Sequence, residues 1–201
     1  MSEKKIIVAM TGASGAAYGL RLIRRLASLG WEQHFILSDA ARVVLAHEMD
    51  LSLHEDPGAC AGQLADHLRI PIESIRVHGL KDWFSPAASG SSGIRHMVIV
   101  PCSMGTLARI AHGMSDNLIE RAADVQLKER GTLILVPRET PLSSVHLENM
   151  LALTRAGAIV LPAMPGFYQS PASVADLVDF VVDRILDHLH ENQAEVGRWG
   201  V

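Results

Sequence analysis

Short, uniformly apolar runs alternate along this chain with stretches whose apolar residues recur at helical spacing, and a glycine, proline or small hydroxyl residue marks almost every changeover. The first run, residues 6–10, predicts a strand. It enters the turn Thr11-Gly12-Ala13-Ser14-Gly15, and a helix follows over 16–29 with Leu22, Leu26 and Leu29 on one face and Gly30 at its end. The same reading gives strands at 35–37, 97–100, 132–136 and 158–161, and helices at 40–48, 59–68, 103–111, 117–130, 140–157 and 170–190. Ser38-Asp39 is positioned to cap the second helix, and Asn117 with Glu120 three residues on reads as an N-terminal cap. Residues 50–76 are broken by Pro57-Gly58 and Pro71, and outside the short helix they read as connection.

Strands that are apolar throughout, alternating with helices, predict an α/β fold: a three-layer, Rossmann-like or flavodoxin-like parallel sheet with helices on both faces. The Ser/Gly-rich stretch 83–93 has the composition of a linker, but a boundary there leaves only about 82 residues before it and no closed sheet. It is therefore expected to be a ligand loop within one domain spanning 1–201, with a polar tail over 191–201. Ligands of such sheets bind beyond the carboxyl ends of the strands. Those ends carry Thr11 to Ser14, Ser38, Cys102 to Thr106, Arg138 with Glu139, and Tyr168.

Composition narrows the chemistry. Hydrophobic residues make up 48% of the 201, and Ala, Val, Ile and Leu supply most of them, which suits buried strands and a buried subunit interface. A net charge of −4 gives no general attraction to nucleic acid or to an anionic membrane. Cys60 and Cys102 form no C-x-x-C, as expected in a reducing cytoplasm. The ten histidines show no metal-ligand spacing, so no metal is expected.

Glycine spacing at the first turn is G-x-x-G, which matches neither the dinucleotide fingerprint nor a P-loop, yet a strand–turn–helix of this kind aims N–H groups at an anion. Ser89 and Gly90 offer a second such cradle. Arg121 and Lys128, two turns apart, form either a solvated basic face balanced by Glu120, Asp124 and Glu129 or a grip on a polyanion. Arg184 interrupts an apolar helix face, either snorkelling or waiting as a buried cation for an anionic partner. Glu48 taken alone is a surface carboxylate. Trp83, Tyr168 and Trp199 read as core or interface aromatics beside suspected site elements. The residues thus point to a phosphorylated cofactor and a second phosphate without naming a reaction.

The segments TGASGAAYGLRL, PAASGSSG, PCSMGTLARIA, DNLIERAADVQLKER, LVPRETPLSSVHLENM, LPAMPGFY and VDFVVDRIL together resemble the UbiX-type flavin prenyltransferases, from about residue 6 to 200. The resemblance implies a homo-oligomeric, typically dodecameric FMN-binding enzyme connected with ubiquinone biosynthesis. Such enzymes join the dimethylallyl group of dimethylallyl monophosphate to N5 and C6 of reduced FMN and release phosphate without a metal. The product goes to a UbiD-type decarboxylase. Carried onto this sequence, Gly12, Ala13, Ser14, Ser38, Ser103, Met104, Thr106 and Arg121 contact FMN. Ser89, Gly90, Lys128, Arg138, Glu139, Tyr168 and Arg184 hold the substrate phosphate, partly across a subunit interface. Catalytic roles fall to Lys128 and the other cations at the leaving phosphate, to Glu139 as proton donor assisted by Tyr168, to Trp83 beside an allylic cation, and to Glu48 with Ser14 for the proton at C6. Two alternatives are an FMN-dependent cysteine decarboxylase of the wider group and a non-catalytic FMN carrier. Against the former, PCSMGT lacks the Asn of that branch's P-A-S-A-N-T motif, and Pro165 stands where its other motif has Asn.

Overall fold

The computed structural model describes residues 4–191. Strands β1 (Lys5–Met10), β2 (Glu32–Leu37), β3 (Ile75–His78), β4 (His96–Cys102), β5 (Thr132–Pro137) and β6 (Ile159–Val160) form one sheet in the order β3-β2-β1-β4-β5-β6, and every pairing is parallel. This is the doubly wound order, whose switch point lies between β1 and β4.

Side-chain alternation along the strands divides the core in two. Ile6, Val8 and Met10 pack with helices α1 (Ala16–Ser28), α2 (Asp39–Met49), α3 (Pro57–Leu68) and α7 (Val174–His188). Ile7 and Ala9 join the opposite cluster, with α4 (Met104–Ala111), α5 (Leu118–Lys128) and α6 (Ser144–Ala156). The expected three-layer α/β class holds. Residues 83–93 lie within the connection from β3 to β4, where the 3-10 turn Pro86–Ala88 packs along α5.

Four expectations need correction. β3 begins where connection is expected through residue 76; it is a four-residue edge strand, and exposed Arg76 with half-buried Val77 and His78 makes no apolar run. β2 starts three residues early, because Gln33 and His34 are buried with partners: Gln33 donates to the Ile23 carbonyl at 3.1 Å, and His34 Nδ1 meets His78 Nε2 of β3 at 2.9 Å. α6 begins at Ser144, since its cap is Ser143, boxed with His146. α7 begins at Val174, because Ser173 caps it while Ser170 turns with φ 53°.

No helix among the described residues is long and apolar enough to cross a membrane. The tail with Trp199 lies outside the described residues.

Candidate active site

The carboxyl ends of β1 and β4 meet at Thr11, and at the end of β2 the Ser38 N–H donates to the Met10 carbonyl at 3.1 Å. The Thr11 hydroxyl donates to the Pro101 carbonyl at 3.1 Å and accepts from the Ser103 N–H at 2.7 Å, tying the two strands that flank the switch point. Thr11 is buried, so both bonds lie away from water. Gly12 brings the turn against α2: a Cβ there would lie 2.5 Å from the Ala40 Cβ. Gly15 has φ 115°, the left-handed backbone that lets the chain enter α1 directly.

Three helices start around this turn. Ser38 caps α2 by accepting from Ala41, and Ser103 caps α4 by accepting from Thr106 while donating to the Thr106 hydroxyl at 3.0 Å. α1 begins at Gly15 without a side chain of its own as cap. The clustered N-termini, with Ser14, Ser38, Ser103 and Thr106 hydroxyls between them, present positive ends and donors to an anion. Met104 and Ala13 are buried.

Glu48 reaches over from the end of α2. Its Oε2 accepts from Gly15 N and Ala16 N, both at 2.9 Å, so a residue that reads as a surface carboxylate supplies the missing cap of α1. Desolvation raises its pKa, but the Ser14 hydroxyl, the two backbone N–H groups and Arg138 outweigh that and hold the carboxyl below its ordinary value. From the end of β5, Arg138 Nε donates to the Ser14 carbonyl at 3.2 Å. Ser14, Glu48 and Arg138 therefore meet on one turn. Beside them, Arg138 and Glu139 line a groove of about 310 Å³ with Met150 and Met164, and Glu139 accepts from its neighbour Thr140 N.

The remaining expected residues lie elsewhere. Ser89 and Gly90 precede β4, and Lys128 precedes β5, so they sit toward the amino ends of the strands. There Lys128 pairs with Glu129, which also packs on Gly90. Arg121 donates to the Ala88 carbonyl at 3.0 Å and pairs with Asp124 at 2.9 Å. Asp124 and Glu129 balance this face as the solvated reading expects, but Glu120 does not: it is buried, and Arg109 Nε meets its Oε1 at 2.5 Å. Arg184 is no buried cation; it is exposed on α7 and pairs with Asp187 at 2.7 Å. Tyr168 packs edge-on against Phe180 of α7. Trp83 is exposed beyond β3, with the Lys81 ammonium 5.7 Å from its ring centre.

Cys102 at the end of β4 is fully buried, which pushes its thiol up to about 12 and leaves it inert as a nucleophile. Among the described residues no group of three or more His, Cys, Asp or Glu is arranged to hold a metal ion. The sequence reading missed the clamp by Thr11, the Arg109–Glu120 pair and the Arg21–Asp179 and Arg25–Asp183 pairs that tie α1 to α7. Only the last left a signal, since Arg21 and Arg25, like Asp179 and Asp183, are spaced four apart.

A family model described as Flavoprotein matches residues 1–186. The chain is 55% identical to the flavin prenyltransferase UbiX of Pseudomonas aeruginosa over 98% of its own length and 94% of that protein's. Among solved structures it resembles AnUbiX (PadA1) in complex with FMN and dimethylallyl pyrophosphate, at TM-score 0.88 and 40% identity over 99% and 98% of the two chains. It also resembles a dodecameric FMN-dependent UbiX-like decarboxylase from Escherichia coli, at TM-score 0.86 and 40% identity over 98% and 100%. A cysteine decarboxylase, EpiD, shares the fold alone, at 13% identity and TM-score 0.54 over 90% and 99%. The chain belongs to the UbiX flavin prenyltransferases of the Flavoprotein family.

Proposed function

We propose that this protein attaches the dimethylallyl group of dimethylallyl monophosphate to N5 and C6 of reduced FMN, releasing phosphate, as a homododecamer that hands its product to a UbiD-type decarboxylase. The observation that carries the reading is the meeting of Ser14, Glu48 and Arg138 on the turn at the switch point. It supports a flavin site: three helix N-termini and four hydroxyls suit a phosphate and a polar ring edge, while the groove at Arg138 and Glu139 opens alongside for a small ester.

Bound there, the reduced flavin supplies the nucleophilic positions. The chain's residues do the rest. Gly12, Ala13, Ser14, Ser38, Ser103, Met104 and Thr106 hold the flavin, with Arg121 a further contact. As the carbon–oxygen bond of the ester breaks, negative charge grows on the departing phosphate, and fixed cations placed beforehand stabilise it without reorganising. Arg138 serves from the same chain; Ser89, Gly90, Lys128, Tyr168 and Arg184 come from neighbouring copies. Glu139, assisted by Tyr168, gives the phosphate a proton, and the Trp83 ring faces the allylic carbons. Glu48, held ionised, takes the proton that C6 loses, by way of the Ser14 hydroxyl. A carboxylate with a lowered pKa is a weak base, suited only to a strongly acidic proton.

The test is anaerobic incubation with reduced FMN and dimethylallyl monophosphate, then mass spectrometry of the extracted flavin. The expected result is a five-carbon gain matched by inorganic phosphate. An unchanged flavin mass with bound FMN would leave a carrier.

A further inference from the structure

The loop joining β6 to α7 carries Tyr168, and α7 carries Arg184. Tyr168 is about half exposed, and its ring stands edge-on to Phe180, with centroids 5.7 Å apart and planes at 80°. Gly166 closes the third side of this contact. A Cβ on it would lie 2.8 Å from Tyr168 Cε1 and 3.0 Å from Phe180 Cζ, so the loop backbone rests against both rings only because position 166 has no side chain. Under the loop, a polar cavity of about 350 Å³ lined by Gln169, Ser170, Asp176 and Phe180 leaves that side without close packing. The aromatic contact packs the tyrosine ring against α7.

Phe180 and Arg184 are four residues apart, hence on one face of α7 and one turn from each other. The orientation of that face is set from behind. Asp179 accepts from Arg21 of α1 through both oxygens, at 2.5 and 2.6 Å, and Asp183 pairs with Arg25 at 3.1 Å. A helix pinned at two successive turns cannot roll, so Phe180 holds Tyr168 in fixed relation to Arg184.

We infer that Phe180 and Gly166 are positioning residues that set Tyr168 beside Arg184, so that hydroxyl and guanidinium reach the phosphate of the prenyl ester as one unit. The inference rests on the assignment of Tyr168 and Arg184 to that phosphate made above. Neither Phe180 nor Gly166 touches substrate; both act through Tyr168.

The test is a double-mutant cycle on the homo-oligomer, following phosphate release against dimethylallyl monophosphate concentration at saturating reduced FMN. Phe180→Leu and Gly166→Ala each raise KM for the ester by about twofold to tenfold, the range of an edge-to-face aromatic pair, with FMN affinity unchanged. In a Tyr168→Phe background, Phe180→Leu has no further effect. Equal factors in both backgrounds, or an unchanged KM in Phe180→Leu and Gly166→Ala while Tyr168→Phe raises it, would overturn the inference. If Tyr168→Phe itself leaves KM unchanged, the assignment of Tyr168 is what fails, and the inference goes with it. Should Phe180→Leu not fold, Gly166→Ala, in the loop, carries the cycle alone.

Discussion

Replacing Glu48 with Gln keeps size and shape while removing the charge that caps α1. The carboxylate accepts two backbone hydrogen bonds at 2.9 Å, from Gly15 and Ala16. A bond to a charged acceptor is worth about 1 kcal/mol more than its neutral counterpart, giving about 2 kcal/mol for two. Glu48 is exposed to solvent, and screening brings the expected loss to about 1 kcal/mol. The sign with pH follows from the direction of the shift. The folded-state pKa lies below the ordinary 4.5, so the stabilisation is fully present above that value and disappears as pH falls through the lower, folded-state one. Urea or thermal unfolding of wild type and Glu48→Gln at a series of pH values measures it: the curves stand apart at pH 7 and converge in acid. A difference that persists unchanged in strong acid, or no difference at pH 7, would mean that the carboxylate does not cap α1.

Thr11→Val is isosteric but leaves the Pro101 carbonyl and the Ser103 N–H without their side-chain partner; a stability loss of about 1–3 kcal/mol, with weaker FMN binding in a fluorescence titration, is expected. His34 is pushed down to about 4, first by burial and then by His78, so the protein binds fewer protons than its unfolded chain between about pH 6.5 and 4. Stability falls as pH drops through that window, and His34→Leu flattens the dependence by on the order of 2 kcal/mol in pH-resolved melting curves, leaving the part due to His78 and His96, which burial also lowers.

What the sequence made legible was the sheet's interior and one end of it. Buried parallel strands must be apolar throughout, so β1, β4 and β5 announce themselves. β3 does not: of its four residues only Ile75 is buried, and His78 is half-buried against His34, a contact made across 44 residues. Ser38 and Ser103 are readable because a hydroxyl after an apolar run caps the helix that follows. Glu48 was opaque for the opposite reason: its partners at Gly15 and Ala16 are more than 30 residues away, and nothing local distinguishes it from any solvated glutamate.

Lys128 and Glu139 raise the hardest geometric question, because they flank β5 at opposite ends. Six strand residues at about 3.3 Å each separate them by roughly 20 Å, more than a lysine and a glutamate can span together. One chain therefore cannot bring both to the same phosphate, and if both act there, different copies supply them. The molecule has the surface for such contacts: Phe84, Phe167 and Val145 are all more than half exposed. Mixing separates the two cases. Lys128→Ala and Glu139→Gln are each expected to be nearly inactive as uniform assemblies. When the two are unfolded and refolded together in equal amounts, about a quarter of the sites draw an intact lysine from one copy and an intact glutamate from another, and about a quarter of wild-type phosphate release returns. If both residues came from one chain, every site would lack one of them. Mixed assemblies would then stay as inactive as the parents, and the division of the site between copies would be wrong.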